Sequence, residues 1–187
     1  MAVSQKFEER LKEGDIVERE LASLCSEYGW QCHKILGGFG SKIPHLVFNG
    51  ETIKAPDIRI ERQFHPSIAV ECKSKGIYDT YKNGRVIYYD IHRFDYARNW
   101  QRATQVPLLV VCKTEKPYVA PNRDAFLVAS INKLDGNHVL KDPGKHNQAP
   151  SYHFPAELFV PFEKSFLAGN FVTKQEIRFF DSEENLL

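Results

Sequence analysis

The sequence predicts an α/β fold on a mixed sheet, with core elements in the order α-β-β-β-α-β. Three observations predict it. Residues 15 to 28, "DIVERELASLCSEY", carry apolar side chains at helical spacing. Two strand-like runs, roughly 52 to 60 and 67 to 74, can fold back on each other through the polar turn "ERQFHP". The run "VPLLVVCKT" is apolar almost throughout, as expected of a strand buried on both faces. Helices alternating with strands in this way imply layers packed on one sheet.

Taken in order, Val17, Leu21, Leu24, Cys25 and Tyr28 form the apolar stripe of the first helix. Asp15 is its expected N-cap, with Glu18 completing a capping-box-like pair, and Gly29 is its stop. "WQCHKILGG" follows as the first strand and ends in the glycine-rich loop "GGFGSKIP". After the two strands of the hairpin, residues 76 to 86 read as a polar loop. Residues 90 to 104 read as the second helix, with Ile91, Phe94, Ala97 and Trp100 on its inner face. "DAFLVASINKL" is a further strand, and "ELFVPFE" and "QEIRFF" are edge or accessory strands. Pro143, Pro150, Pro155 and Pro161 break up what lies between. The expected organisation is one domain over 1–187, with its core at about 10–113 and a C-terminal elaboration at about 114–187.

A chain of 187 residues, 42% hydrophobic and 26% charged, has the composition of an ordinary globular protein. No apolar run approaches the length of a membrane span, and the charged N-terminus does not resemble a secretory signal. Cys25, Cys32, Cys72 and Cys112 show no CxxC spacing and no disulfide framework, so a reduced, cytoplasmic protein is expected. A net charge of +1 leaves any nucleic-acid contact dependent on locally focused positive charge.

The chemistry concentrates in "KAPDIRIERQFHPSIAVECKSK", residues 54 to 75. Side chains alternate along a strand, so Ala69, Glu71 and Lys73 share one face while Ile68, Val70 and Cys72 share the other. Asp57 shares a face with Arg59. A turn centred near Phe64 sets Asp57 opposite Glu71, where Cβ atoms stand roughly 4.5–5.5 Å apart. Facing carboxylates repel each other unless a cation lies between them. A hard cation such as Mg²⁺ favours one or two carboxylates together with a phosphate oxygen. Lys73, on the same face, can orient or deprotonate a water or offset charge on a phosphate. Each component of a phosphodiester hydrolase is then present, and loss of Asp57 or Glu71 is expected to abolish phosphodiester cleavage and, by relieving repulsion, to leave the fold nearly intact.

With Pro56-Asp57 and Glu71-Cys72-Lys73 set in the α-β-β-β-α-β order, the sequence resembles the PD-(D/E)XK nuclease superfamily over residues 10 to 113. Its opening helix, "GDIVERELASLCSEYGWQC", is similar to that of Holliday-junction resolvases and restriction-type nucleases. The resemblance implies a restriction-endonuclease-like fold and a Mg²⁺-dependent endonuclease that hydrolyses DNA, with Mn²⁺ as a substitute. It implies that Asp57, Glu71 and the Cys72 carbonyl hold the ion, that Lys73 is the catalytic lysine and that Glu18 joins the site. On periodicity alone, Glu18 either reaches the active edge of the sheet or stays an exposed capping residue. The resemblance also implies a polar residue on the helix after the third strand, with Tyr89, His92 and Arg93 available. A homodimer would suit cuts on two strands. The alternative is a catalytically silent module of the same fold that binds nucleic acid or a protein.

Further contacts to nucleic acid are expected from Ser41 and Lys42 in the glycine-rich loop, unless that loop is an ordinary turn. Tyr81, Lys82 and Arg85, with Tyr78, interleave aromatic and basic groups. Arg93 is a further contact, whereas the series Arg93, Arg98 and Arg102 reads more simply as a solvated helix face. His138, His146 and His153 lack metal-ligand spacing and are expected at the surface.

Overall fold

A computed structural model describes residues 2–35, 45–63, 66–74, 77–80, 84–113, 126–142 and 149–162. Its first element, α1 (Ala2–Glu27), is followed by β1 (Gln31–Lys34), β2 (His45–Phe48), β3 (Glu51–Lys54), β4 (Ile58–Glu61) and β5 (Ile68–Ser74). Next come β6 (Ile77–Thr80), β7 (Gly84–Asp90), α2 (Ile91–Thr104) and β8 (Leu108–Lys113). The C-terminal part adds β9 (Phe126–Ser130), α3 (Ile131–Leu134), β10 (Leu140–Asp142), β11 (Ser151–Pro155) and β12 (Val160–Pro161).

The central sheet has the order β1-β4-β5-β8-β9-β12. The β5–β8 pair is parallel and its other pairs are antiparallel, so the sheet is mixed. The expected α-β-β-β-α-β series is present as α1, β1, β4, β5, α2 and β8, with hairpins β2–β3 and β6–β7 inserted. Alternation explains the apolar sequence of β8: Leu109 and Val111 join the cluster on the α1 face, while Leu108, Val110 and Cys112 join the cluster on the α2 face. β9 divides in the same way, Phe126 and Val128 against Leu127 and Ala129. On the α1 face, Val17, Leu21 and Cys25 pack on Ile58, Ile60, Ile68 and Val70. Burying one such aliphatic side chain contributes roughly 1.5–3 kcal/mol.

A second sheet, β10-β11-β7-β6, packs on α2. Phe94 of α2 meets Tyr89, Tyr152 and Phe154 at ring-centroid distances of 5.8, 5.5 and 5.2 Å. The segment expected as a polar loop at 76–86 is therefore largely the β6–β7 hairpin, paired from Ile77↔Ile87 to Thr80↔Gly84. Its Ile, Tyr, Thr and Val residues favour a pleated surface, and that preference outweighs the polar residues between them.

Other boundaries also differ from expectation. The first helix starts at Ala2, because "SQKFEERLKE" consists largely of good helix formers. Asp15 is therefore interior and not an N-cap, and its Oδ1 accepts from Lys34 Nζ at 2.9 Å. The strand expected over 52–60 is two strands in different sheets, β3 and β4, separated at Ala55-Pro56. The residue before a proline is held extended, and proline lacks the N–H that a ladder needs. The "DAFLVASINKL" segment divides into β9 and the helical turn α3, which Ser130 caps by accepting from Lys133 N at 3.2 Å. "ELFVPFE" yields the edge strand β12, a position that tolerates Pro161. His153 is buried, 6% exposed, where a surface position was expected, because it faces Tyr88 across the second sheet. His146 and "QEIRFF" lie outside the described residues.

Candidate active site

The hairpin β4–β5 pairs Ile58↔Val70, Arg59↔Ala69 and Ile60↔Ile68. That is the register in which Asp57 faces Glu71. Asp57 stands one residue before β4, tied in by its N–H to the Val70 carbonyl at 3.1 Å. No β4 residue opposes Cys72, so its peptide edge turns towards Asp57. The Cys72 N–H donates to Asp57 Oδ2 at 2.9 Å. N–H and C=O of one strand residue leave on the same side, so the Cys72 carbonyl borders the same space.

Glu71 is 5% exposed, a rare position for a carboxylate. Lys73 Nζ hydrogen-bonds to Glu71 Oε1 and lies 3.8 Å from Asp57 Oδ2. The two acids thus converge on one ammonium. Lys54 Nζ approaches Asp57 Oδ1 from the opposite side at 3.5 Å. Burial raises the Glu71 carboxyl above its ordinary range; the Lys73 charge pulls it back, and Asp57 raises it further. Burial by itself would lower Lys73, but Glu71 and Asp57 together hold its ammonium above the usual lysine value. Removing Glu71 would take away the closer partner of the Lys73 ammonium, so near-neutrality of that change for the fold no longer follows, whereas Lys73 keeps Glu71 when Asp57 is removed.

Glu18 enters from the α1 side. Its Oε2 lies 2.7 Å from Lys34 Nζ in an ion pair. Burial raises the Glu18 carboxyl; Lys34 lowers it, and the neighbouring Asp57 charge raises it again. Lys34 in turn is raised by Glu18 and Asp15. Glu18 is therefore not an exposed cap, its side chain being 17% exposed, and it stands within electrostatic reach of Asp57.

Arg93 sits in the first turn of α2, exposed, and close enough to oppose the Lys73 charge. Tyr89 is the penultimate residue of β7 and is not on the helix; its ring is buried and its hydroxyl has no hydrogen-bond partner among the described residues. Burial raises that phenol, and Glu71 raises it further. His92 is exposed on α2. Arg98 and Arg102 turn away to Asp135, at 3.2 and 3.4 Å, so they form no stripe with Arg93. Arg85 is exposed on β7, while Ser41, Lys42, Tyr81 and Lys82 lie outside the described residues. Two residues of the site escaped the sequence reading. Lys54 and Tyr96 reach it because the β2–β3 hairpin packs against α2. Periodicity within one element gives no signal of that packing.

Among the described residues, no three His, Cys, Asp or Glu side chains form a ready-made metal cluster. The donors nevertheless suit a hard cation. Two carboxylates already share one cationic group, and a backbone carbonyl borders them. Among the described residues, no helix is long and apolar enough to cross a membrane.

No family model matches the sequence, and no curated protein matches it. Among solved structures, the chain is similar to Hjc, a Holliday junction resolvase from the archaeal hyperthermophile Archaeoglobus fulgidus. The identity is 14%, the match covers 82% of this chain and 99% of that one, and the TM-score is 0.49.

Proposed function

We propose that the chain is a divalent-metal-dependent endonuclease that hydrolyses DNA phosphodiester bonds. The observation that carries this reading is the partly buried ammonium of Lys73, shared by Glu71 and Asp57 at the open end of the β4–β5 hairpin. A packed core does not need two acids and a lysine there, whereas phosphoryl chemistry does. Mg²⁺, or Mn²⁺ in its place, would be held by Asp57, Glu71 and the Cys72 carbonyl, with Glu18 adjoining. Such an ion supplies charge neutralisation and activation of water.

The chain's own residues supply the remainder. Cys72 N–H fixes one oxygen of Asp57, leaving the other towards Lys54. Lys73 keeps its proton at Nζ against the pull of burial, and so can offset charge that develops on phosphate oxygens. Glu18 adds a third negative group whose charge favours cation entry. A homodimer is the arrangement that would bring two such sites to two strands.

The test is calorimetric titration of Mg²⁺ or Mn²⁺ into wild type and Asp57→Ala, with both proteins then incubated with branched, linear and supercoiled DNA. Metal binding and strand cleavage by wild type, both lost in the variant, are expected. Binding of the ion without cleavage would favour a silent nucleic-acid-binding module, and absence of ion binding would remove the nuclease reading.

A further inference from the structure

We propose that the cleft between β3 and α2 seats one backbone phosphate of the bound DNA strand, held by Lys54 from one wall and Arg93 from the other. The inference rests on the nuclease reading and adds a substrate contact to it. Lys54, Pro56, Glu71, Arg93 and Tyr96 line one small cleft, and of its charged residues Glu71 is buried. Lys54 ends β3, and Arg93 lies in the first turn of α2, so the two cations come from elements that meet only through tertiary packing.

The charge of the cleft favours an anion. Glu71 is already engaged by Lys73, and Asp57 by Lys73, Lys54 and the Cys72 N–H. Lys54 meets Asp57 only at 3.5 Å, and an ammonium has three donors, so it keeps donors for a ligand in the cleft it lines. Arg93 has no carboxylate within ion-pair distance among the described residues, in contrast to Arg98 and Arg102 on the same helix. A guanidinium left exposed in this way matches a phosphate, which it can grip through two parallel N–H groups. Tyr96, 38% exposed, supplies a ring beside that position, an apolar surface for the adjoining sugar.

The test measures the affinity of a labelled DNA duplex and of a branched DNA as a function of salt, without metal, for wild type, Lys54→Met, Arg93→Met and the double variant. Each neutralised phosphate contributes about 0.9 to the slope of log affinity against log salt. Because both cations serve one phosphate, the double variant is expected to lose about 0.9 of slope in total, not twice that. Lys54→Arg should retain the wild-type slope. So should Arg62→Met, which removes an exposed cation just past the far end of β4. Circular dichroism checks that each variant is folded. Unchanged slopes in Lys54→Met and Arg93→Met, with wild type binding the DNA and cutting it once Mg²⁺ is added, would overturn this inference and leave the nuclease reading in place. Additive slope losses would overturn the shared phosphate. No salt-dependent binding by wild type, together with no cleavage after Mg²⁺ is added, would overturn both.

Discussion

At the scale of single residues, the decisive pair is Glu71 and Lys73, each the other's main compensation in a buried place. Removing one partner of a fully buried pair costs on the order of 3–5 kcal/mol, and less is expected here because the Lys73 side chain is 19% exposed and retains Asp57 nearby. Lys73→Met and Glu71→Gln should therefore each destabilise the chain markedly. The double variant should lose much less than the sum, a coupling of at least about 1 kcal/mol by urea unfolding. A second residue-scale prediction concerns His153. Burial lowers its pKa below 6.5, opposed by Asp142 at 3.9 Å, and the Tyr88 ring covers it at 4.2 Å. The unfolded chain then binds the proton more tightly than the folded one. Stability is fully present above pH 6.5 and falls as the pH drops through that value. Urea titrations at neutral and mildly acidic pH should show this loss, at most about 1.4 kcal/mol per pH unit, and His153→Gln should flatten it.

At the scale of elements, α2 is both a structural post and the carrier of Arg93. Asp90 caps it, with Oδ1 accepting from the Arg93 N–H at 3.1 Å. Asp90→Ala should cost about 1 kcal/mol of stability. By loosening the first turn it should also weaken DNA affinity more than a remote cap change such as Ser130→Ala, which binding isotherms on the two variants would compare. The far end of α2 is fastened separately, because the Gln101 side chain accepts from Leu108 N at 2.8 Å and donates to Asn132 at 2.6 Å.

How much could be read in advance follows from the same scale. The hairpin β4–β5 was legible because alternation and turn position together fix a register, and register alone decides what faces Glu71. The apolar pattern of β8 was legible because a doubly buried strand has little room for polar residues. The second sheet was not legible. It joins residues 77–90 to residues 140–155, and the long-range pairings Tyr89↔Tyr152 and Ile87↔Phe154 leave no local trace. Lys54 escaped for a related reason, since a strand paired only with its hairpin neighbour does not reveal which helix it will lie against.

At the scale of the whole molecule, two apolar clusters occupy the two faces of the central sheet, and Phe94 links the second of them to the accessory sheet. Phe94→Ala should cost about 3–5 kcal/mol. It should also lower the midpoint of denaturant unfolding more than an equal truncation at a partly buried ring such as Trp100, a comparison made by fluorescence or circular dichroism.

Lys73 has a consequence for how the protein behaves in an ion-poor solution. Many metal sites are assembled only when the ion arrives, and chelators then unravel the chain. Here the acids already hold a counter-ion that the polypeptide itself provides. Folding should thereby be independent of metal supply: a thermal melt in EDTA is expected to give the same melting temperature as one in Mg²⁺-containing buffer, and a drop in EDTA would show that the internal counter-ion does not suffice.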